Sequence, residues 1–387
     1  MSHKRVVLIL DGLGETRTPS TLFLADTPCL DRLALEGDVG LLDLEGPDSS
    51  RPPSSEKGIL SLCGAQERCD TMPRATLLTS GIEPEIALDA PQWVWLLNPA
   101  RIEHGRLDSY VESSSLHSFW QEFRDRSERA GKVNLFRYSP IRLGNGNIVR
   151  IAAFHPAGDE LPEESPAPRR GTILPDNGLS GALIREASTF LPPHPEFNCV
   201  WPWGMGKWYP EPGEQASVTD LRRWMVAAAP LARSIGRILG WQVPPVPGGT
   251  GDTDTCLESK LDAVLSALNR PETTHVFCHI EGFDLASHRR RPDEKQAFLE
   301  KFDRVFGPAL IRSLEEQSLN ELWITCDHLS SPVSGDHETG SVPFLHVPCV
   351  PRLSLSRVRA ESGRFNESTA VLGSRLSIAQ WKQSLQL

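Results

Sequence analysis

The chain has 387 residues, a hydrophobic fraction of 39% and a formal net charge of −10, which is enough apolar material for a large core and enough length for two domains. Its negative charge excludes the basic character typical of nucleic-acid binding, since no basic run exceeds Arg289-Arg290-Arg291. Without a membrane-length apolar run, a signal peptide or a disulfide pattern, we expect a cytoplasmic protein with no membrane partner.

The N-terminal segment predicts a strand followed by a helix. The run from Val6 to Leu10 is apolar and β-branched, as buried strands are, and Asp11 follows it directly. Thr27 as N-cap, Pro28 at the first helical position and Gly37 as the end then predict a helix. The chain therefore begins with a βα unit.

A second helix is predicted from a Ser-Ser-Glu sequence to Gly64. A hydroxyl at a helix N-terminus lies among N–H groups that favour an alkoxide and, later, a phosphate dianion. Ser55 is therefore the candidate nucleophile. The alternative is that Ser54 or Ser55 only caps the helix.

The middle of the chain changes in composition. Residues 83–211 are rich in tryptophan, turn-forming at 143–147, and rich in proline and glutamate at 156–168. We interpret this segment as an inserted cap domain with a solvated loop near residues 156–171. Residues 1–82 and 212–387 are then one discontinuous core.

Two further strands are predicted in the last third, at residues 276–280 and 322–326. Asp284 follows the first of them, and Asp327 follows the second. Because ligands of open α/β sheets bind beyond the carboxyl ends of the strands, we expect Asp11, Asp284 and Asp327 to converge on one edge.

Three imidazoles accompany these carboxylates. His288 lies four residues after Asp284, so one turn of helix can direct both side chains at one ion. His328 is adjacent to Asp327, and His337 lies nine residues after His328. Mixed carboxylate and imidazole ligands favour Mn²⁺, Zn²⁺ or Co²⁺ over Ca²⁺. Each residue alone is also a common cap or loop residue, but together they predict a two-metal site. A cysteine site is the weaker alternative, because the eight cysteines include no C-x-x-C pair.

Six segments in order resemble the archaeal-type cofactor-independent phosphoglycerate mutases, a branch of the alkaline phosphatase superfamily. They are residues 6–14, 27–41, 54–64, 232–254, 279–308 and 325–343. The resemblance implies an α/β fold, with an alkaline-phosphatase-like core whose mostly parallel sheet lies between helices, and an α+β cap. It also implies an isomerase that converts 3-phosphoglycerate to 2-phosphoglycerate, a small phosphorylated metabolite, through a phosphoserine.

The resemblance further implies two divalent ions, Mn²⁺ or Zn²⁺, with Co²⁺ and Mg²⁺ as alternatives. The sequence does not choose among these ions, and it leaves the oligomeric state and the general acid or base open. One ion would be held by Asp284, His288 and His337, and the other by Asp11, Ser55, Asp327 and His328.

The substrate half departs from the family. Ser54 and Glu56 stand where the family has Gly and Asp around the nucleophile, and Leu96 stands where it has an arginine. Arg74 and Lys207, the latter in a Trp-Gly-x-Gly-Lys-like stretch, are the remaining candidate substrate residues. Two alternatives therefore stay open: a phosphomonoesterase or other phosphotransferase with a different substrate, and a non-catalytic binding homologue.

Overall fold

The computed structural model describes residues 3–44, 52–68, 72–81, 84–110, 116–130, 134–143, 146–158, 162, 168, 170–210, 220–349 and 363–387. Two compact units are present, one formed by residues 1–69 and 219–387 and the other by residues 70–218. The expected cap, 83–211, falls inside the second unit, which also includes a helix at 74–80 because that helix packs on a strand at 199–208. Parts of the predicted turn at 143–147 and of the predicted loop at 156–171 lie outside the described residues.

Fifteen strands lie in the described ranges. They are β1 (Arg5–Leu10), β2 (Asp38–Asp43), β3 (Gln92–Glu103), β4 (Arg106–Tyr110), β5 (Arg137–Arg142), β6 (Ile148–Pro156), β7 (Cys199–Trp208), β8 (Asp220–Val226), β9 (Trp241–Gln242), β10 (His275–Ile280), β11 (Glu321–Thr325), β12 (Leu329–Ser330), β13 (His337–Glu338), β14 (Val342–Pro348) and β15 (Ser374–Ser377).

Twelve α-helices lie in the same ranges. They are α1 (Thr21–Leu24), α2 (Pro28–Glu36), α3 (Ser55–Leu62), α4 (Arg74–Ser80), α5 (His117–Ala130), α6 (Gly178–Ser188), α7 (Pro230–Ile238), α8 (Leu257–Leu268), α9 (Gly282–His288), α10 (Pro292–Glu315), α11 (Glu367–Leu372) and α12 (Ile378–Leu385).

The first unit is built on an eight-stranded, mostly parallel sheet in the order β15-β2-β14-β11-β1-β10-β8-β9. β1 lies between β10 and β11 and is parallel to both, whereas β14 is antiparallel to its two neighbours. Every residue of β1, β10 and β11 is buried. These are the three strands predicted from the apolar runs, and the α/β prediction is confirmed.

The helices of this unit follow their sequence signals. α2 begins after Thr27 with Pro28 at its first position and ends at Gly37, as expected. α10 is 24 residues long and buries Phe298, Phe302 and Phe306 at the helical spacing of four residues. Because β1, β10 and β11 are parallel, their carboxyl ends lie at the same edge of the sheet.

The second unit has its own five-stranded antiparallel sheet, in which β3 pairs with β4, β6 and β7, and β5 pairs with β6. α5 packs on β5 and β6, and α6 packs on β7. Aromatic side chains fill the core between them, among them Trp95, Trp120, Phe123 and Phe136. The tryptophan-rich composition of the middle segment thus reflects an independent aromatic core.

Even the longest helix of the described chain, α10, lacks the uninterrupted apolar length needed to cross a bilayer. The cytoplasmic location expected from the sequence stays a prediction.

Candidate metal centre and nucleophile

Three carboxylates lie at the ends of three neighbouring strands. Asp11 follows β1 directly, Asp284 lies in the first turn of α9 just after β10, and Asp327 follows β11. All three side chains are buried. The strand order, with β1 between β10 and β11, is what brings these distant positions of the sequence together.

The first group combines Asp284 with His288 and His337, whose ligand atoms all lie within 4.8 Å of one another. Nε2 of His288 is 3.1 Å from Oδ2 of Asp284, and Nε2 of His337 is 3.5 Å from Oδ1. Nδ1 of His288 contacts the carbonyl oxygen of Gly335 at 2.7 Å, so that nitrogen donates and Nε2 is left as the electron-pair donor. Burial alone would raise the pKa of Asp284, but the two histidines hold it well below its usual range.

The second group combines Asp11, Asp327 and His328, all buried and again within 4.8 Å of one another. Nε2 of His328 is 3.1 Å from Oδ1 of Asp11, 3.6 Å from Oδ2 of Asp327 and 3.2 Å from Oγ of Ser55. Burial raises the pKa of Asp11, and the nearby Asp327 and Asp284 raise it further. One imidazole nitrogen thus faces three oxygen atoms, an arrangement that suits ligands around a shared cation.

The two groups are adjacent. The ring of His337, from the first group, stacks on the ring of His328, from the second, with 3.8 Å between centroids. The ring of His288 also stacks on the ring of His337, with 5.2 Å between their centroids. The imidazoles therefore form a continuous stack along the cluster of carboxylates.

These residues fit a pair of divalent ions. Among the described residues, Oδ1 of Asp11 and Oδ2 of Asp327 are buried without a hydrogen bond of acceptable geometry, which is costly unless another charge or ligand interacts with them. Carboxylate oxygen with imidazole nitrogen is the donor set of Zn²⁺ and Mn²⁺ sites. The geometry is therefore compatible with metal binding at both groups.

Ser55 is the first residue of α3, after Ser54 as N-cap. The side chain of Ser54 makes no capping hydrogen bond, whereas the hydroxyl of Ser55 contacts His328. Ser54 therefore has the N-cap position without a capping side-chain hydrogen bond, and the role of Ser55 as nucleophile stays a prediction. Gly58 permits the close approach of α3, since a Cβ there would lie 2.2 Å from the carbonyl oxygen of Asp327.

The family model for the metalloenzyme superfamily matches residues 3–366 of this sequence. The chain belongs to the metalloenzyme superfamily. It is 27% identical over 368 residues to the 2,3-bisphosphoglycerate-independent phosphoglycerate mutase of Methanosarcina acetivorans, covering 88% of this chain and 89% of that protein.

Two solved structures share the fold of this metalloenzyme. The PH0037 protein from Pyrococcus horikoshii superposes with a TM-score of 0.72 at 20% identity, covering 100% of this chain and 97% of that one. The cofactor-independent phosphoglycerate mutase from Thermoplasma acidophilum superposes with a TM-score of 0.53 at 16% identity, with 99% of each chain covered. At these identities the likeness establishes the fold.

His279, a buried residue of β10, also lies at the candidate metal centre, although the sequence did not indicate it as a site residue. Its Nε2 lies 3.4 Å from Oδ2 of Asp11, and its Nδ1 lies 3.2 Å from Oε1 of Glu281, whose other oxygen accepts from Lys260 at 2.9 Å. Burial would lower the pKa of His279, but Glu281 and Asp11 together raise it. His279 thus links Asp11 to a buried ion pair.

The candidate substrate residues Arg74 and Lys207 lie in the second unit. The guanidinium of Arg74 lies 5.3 Å from the centroid of the Trp203 ring. The guanidinium of Arg150, a residue that the sequence did not indicate, lies at the same distance from that ring. Lys207 lies 5.5 Å from the ring of Trp93. These are cation–π contacts with tryptophan rings of β3 and β7.

The contact at Gly58 yields a testable prediction. Helix propensity alone would make Gly58→Ala stabilising by up to about 1 kcal/mol. The added methyl group overlaps the backbone of Asp327, however, so we expect the free energy of unfolding to fall by about 1–3 kcal/mol in total. Urea unfolding measures the change. Gly158→Ala is the control, because a Cβ there meets no atom within 4 Å. Equal stability of the two variants would contradict the packing argument.

Proposed function

We propose that this metalloenzyme catalyses metal-dependent phosphoryl transfer through a phosphoserine at Ser55, as a phosphoglycerate mutase-like isomerase acting on 3-phosphoglycerate. One observation carries the proposal: the hydroxyl of Ser55, at the start of α3, lies 3.2 Å from Nε2 of His328, a member of the second ligand group. Similarity along nearly the whole length of a phosphoglycerate mutase supports the same reaction class.

The two ligand groups are proposed to hold one divalent ion each, Mn²⁺ or Zn²⁺, with Co²⁺ and Mg²⁺ as alternatives. Asp284, His288 and His337 would form one set, and Asp11, Ser55, Asp327 and His328 the other. When bound, such ions lower the pKa of a coordinated hydroxyl and neutralise charge on phosphate oxygens.

The role of Ser55 follows from its position. Its Oγ gives up the hydroxyl proton and attacks the phosphorus atom, so that an Oγ–P bond forms while the bond from phosphorus to the substrate oxygen breaks. That oxygen leaves with the electron pair and takes up one proton in exchange for the one released. The N-terminus of α3 favours the negative charge of the resulting phosphoserine. In the second step the other hydroxyl of the same molecule loses its proton and its oxygen bonds to phosphorus, while the Oγ–P bond breaks and Oγ regains a proton, which completes the isomerisation.

The anionic groups of the substrate are proposed to be bound by Arg74 and Lys207. Arginine forms oriented, bidentate contacts with carboxylate or phosphate, and lysine acts as a compact positive charge. Both side chains are half-buried and lie next to aromatic rings, which limits the rotamers they can adopt.

A second candidate is a phosphomonoesterase, in which water instead of a second hydroxyl accepts the phosphoryl group. Leu96, at the position where the family has an arginine, is fully buried in β3 opposite Ala152 and Trp203. An apolar, buried side chain makes no ionic contact with a phosphoglycerate. This is the observation that favours a different phosphorylated substrate.

The first prediction of this proposal concerns metal content. We expect close to two divalent ions per chain after loading with Mn²⁺ or Zn²⁺, because two groups of three ligands are present. His288→Ala and Asp327→Ala should each lose one ion and nearly all activity, as measured by elemental analysis and turnover. Wild-type protein that binds no transition metal would refute the proposed ligand sets.

The second prediction concerns the nucleophile. Ser55→Ala should abolish turnover and the acid-stable phosphoprotein formed from labelled substrate, because Oγ is the atom that bonds to phosphorus. Ser54→Ala is the matched control and should retain both, since its side chain makes no capping hydrogen bond. A phosphoprotein of normal intensity in Ser55→Ala would exclude this residue as the nucleophile.

A third experiment separates the two candidate reactions. Rates of 2-phosphoglycerate formation and of phosphate release are compared on one metal-loaded sample. For a mutase, Arg74→Ala and Lys207→Ala should each lower isomerisation by roughly 10-fold or more, since one oriented charge contact contributes about 1.5–3 kcal/mol. Phosphate release without isomerisation would favour the phosphomonoesterase. Efficient isomerisation unchanged by both substitutions would show that the substrate contacts lie elsewhere.

A further inference from the structure

Ser330 lies between the two ligand groups of the first unit. Its hydroxyl is 2.5 Å from Oδ1 of Asp284, a member of the first group, and 3.2 Å from Nδ1 of His328, a member of the second. The side chain is completely buried. A single hydroxyl therefore contacts one member of each ligand set.

The direction of these two hydrogen bonds is determined by the number of protons. A carboxylate oxygen accepts hydrogen bonds, and a serine hydroxyl has one proton to donate. That proton goes to Asp284. Oγ of Ser330 is then the acceptor for His328, so Nδ1 of His328 carries its proton and Nε2 is the nitrogen with a free electron pair. Nε2 is the atom that faces Ser55, Asp11 and Asp327.

The backbone N–H and carbonyl oxygen of Ser330 also make hydrogen bonds. Its N–H donates to the carbonyl oxygen of Gly14 at 3.0 Å, and its own carbonyl oxygen accepts from Nζ of Lys295 at 2.9 Å. Lys295 is itself completely buried and lies 3.3 Å from Oε1 of Glu15. The position of the hydroxyl is thus fixed by contacts independent of the two ligand groups.

The surrounding packing leaves little space for the hydroxyl to move. A Cβ on Gly12 would lie 2.8 Å from Oγ of Ser330 and 2.8 Å from Oδ1 of Asp284. Gly12 also has a φ of +65°, which glycine adopts without strain. The loop after β1 therefore closes directly over the hydrogen bond between Ser330 and Asp284.

We infer that Ser330 is a positioning residue that fixes the tautomer of His328 and couples the two ligand groups through one hydroxyl. The inference rests on the proposed metal centre. Hydrogen-bond partners of metal ligands typically change metal affinity 10- to 100-fold when they are removed. Because Ser330 contacts both groups, its loss should weaken both sites, whereas substitution of a residue beside one ligand should weaken one.

The first measurement requires no metal. In ¹⁵N-histidine-labelled, metal-free protein at a pH where the ring is neutral, two-bond ¹H–¹⁵N spectra should show His328 protonated on Nδ1, with the signal assigned by its loss in His328→Gln. Ser330→Ala should lose this preference. Wild-type His328 protonated on Nε2 in its neutral form would overturn the inference, even if the variant failed to fold.

The second measurement is calorimetric titration with Zn²⁺. We expect Ser330→Ala to bind both ions roughly 10- to 100-fold more weakly and Ser330→Thr, which keeps a hydroxyl, to bind more tightly than Ser330→Ala. Ser313→Ala is the control, because it removes a buried serine hydroxyl that donates to the carbonyl oxygen of Ala309 within α10. Wild-type affinities in Ser330→Ala would overturn the inference.

The outcomes separate the inference from the proposed function. If wild-type protein binds two ions and Ser330→Ala binds them equally well, the inference alone fails. If wild-type protein binds none, the metal centre fails, and the tautomer of His328 in the metal-free protein still decides whether Ser330 positions the ring.

Discussion

The burial of three carboxylates at the ends of three adjacent strands is the constraint on which the first unit depends. A buried carboxylate is unfavourable unless positive charge or hydrogen bonds compensate it. The compensation here is uneven, because the pKa of Asp284 is lowered by His288 and His337 while the pKa of Asp11 is raised by burial and by its acidic neighbours. A cation at the second group would compensate the negative charge of Asp11 and its acidic neighbours, which is an electrostatic reason to expect a metal there.

Two buried lysines donate hydrogen bonds to backbone carbonyl oxygens next to this cluster. Lys260 donates to the carbonyl oxygen of His279 at 2.7 Å, and Lys295 donates to that of Ser330 at 2.9 Å. Each lysine is completely buried, and each is paired with a buried glutamate. Burial lowers the pKa of Lys295, and Glu15 opposes that change. Such pairs contribute little net stability, but they fix the segments that carry the site.

The sequence was sufficient to predict the framework of the site, because its signals are local. Apolar runs of five residues define β1, β10 and β11, and an acidic residue follows each one at short range. The spacing of Asp284 and His288 required only one helical turn, which α9 provides. The assignment of these residues as metal ligands and of Ser55 as nucleophile stays a proposal.

What could not be predicted depends on contacts between distant segments. His279 lies within an apolar strand pattern, so nothing in its neighbourhood indicates that it reaches Asp11. Gly58 resembles any helical glycine until the backbone of Asp327 is placed beside it. Arg150 lies on β6, far in sequence from the Trp203 ring that it contacts. The boundaries of the second unit likewise depend on the packing of α4 on β7.

The position of β1 has a consequence for biosynthesis. This strand precedes the other described strands in sequence and is synthesised before them, yet its two neighbours, β10 and β11, belong to the last third of the chain. The strands of the second unit pair among themselves within residues 92–208, so that unit can complete its sheet while β1 is still unpaired. An unpaired apolar strand favours aggregation, so chaperone binding to the β1 segment before β10 and β11 are synthesised would be advantageous.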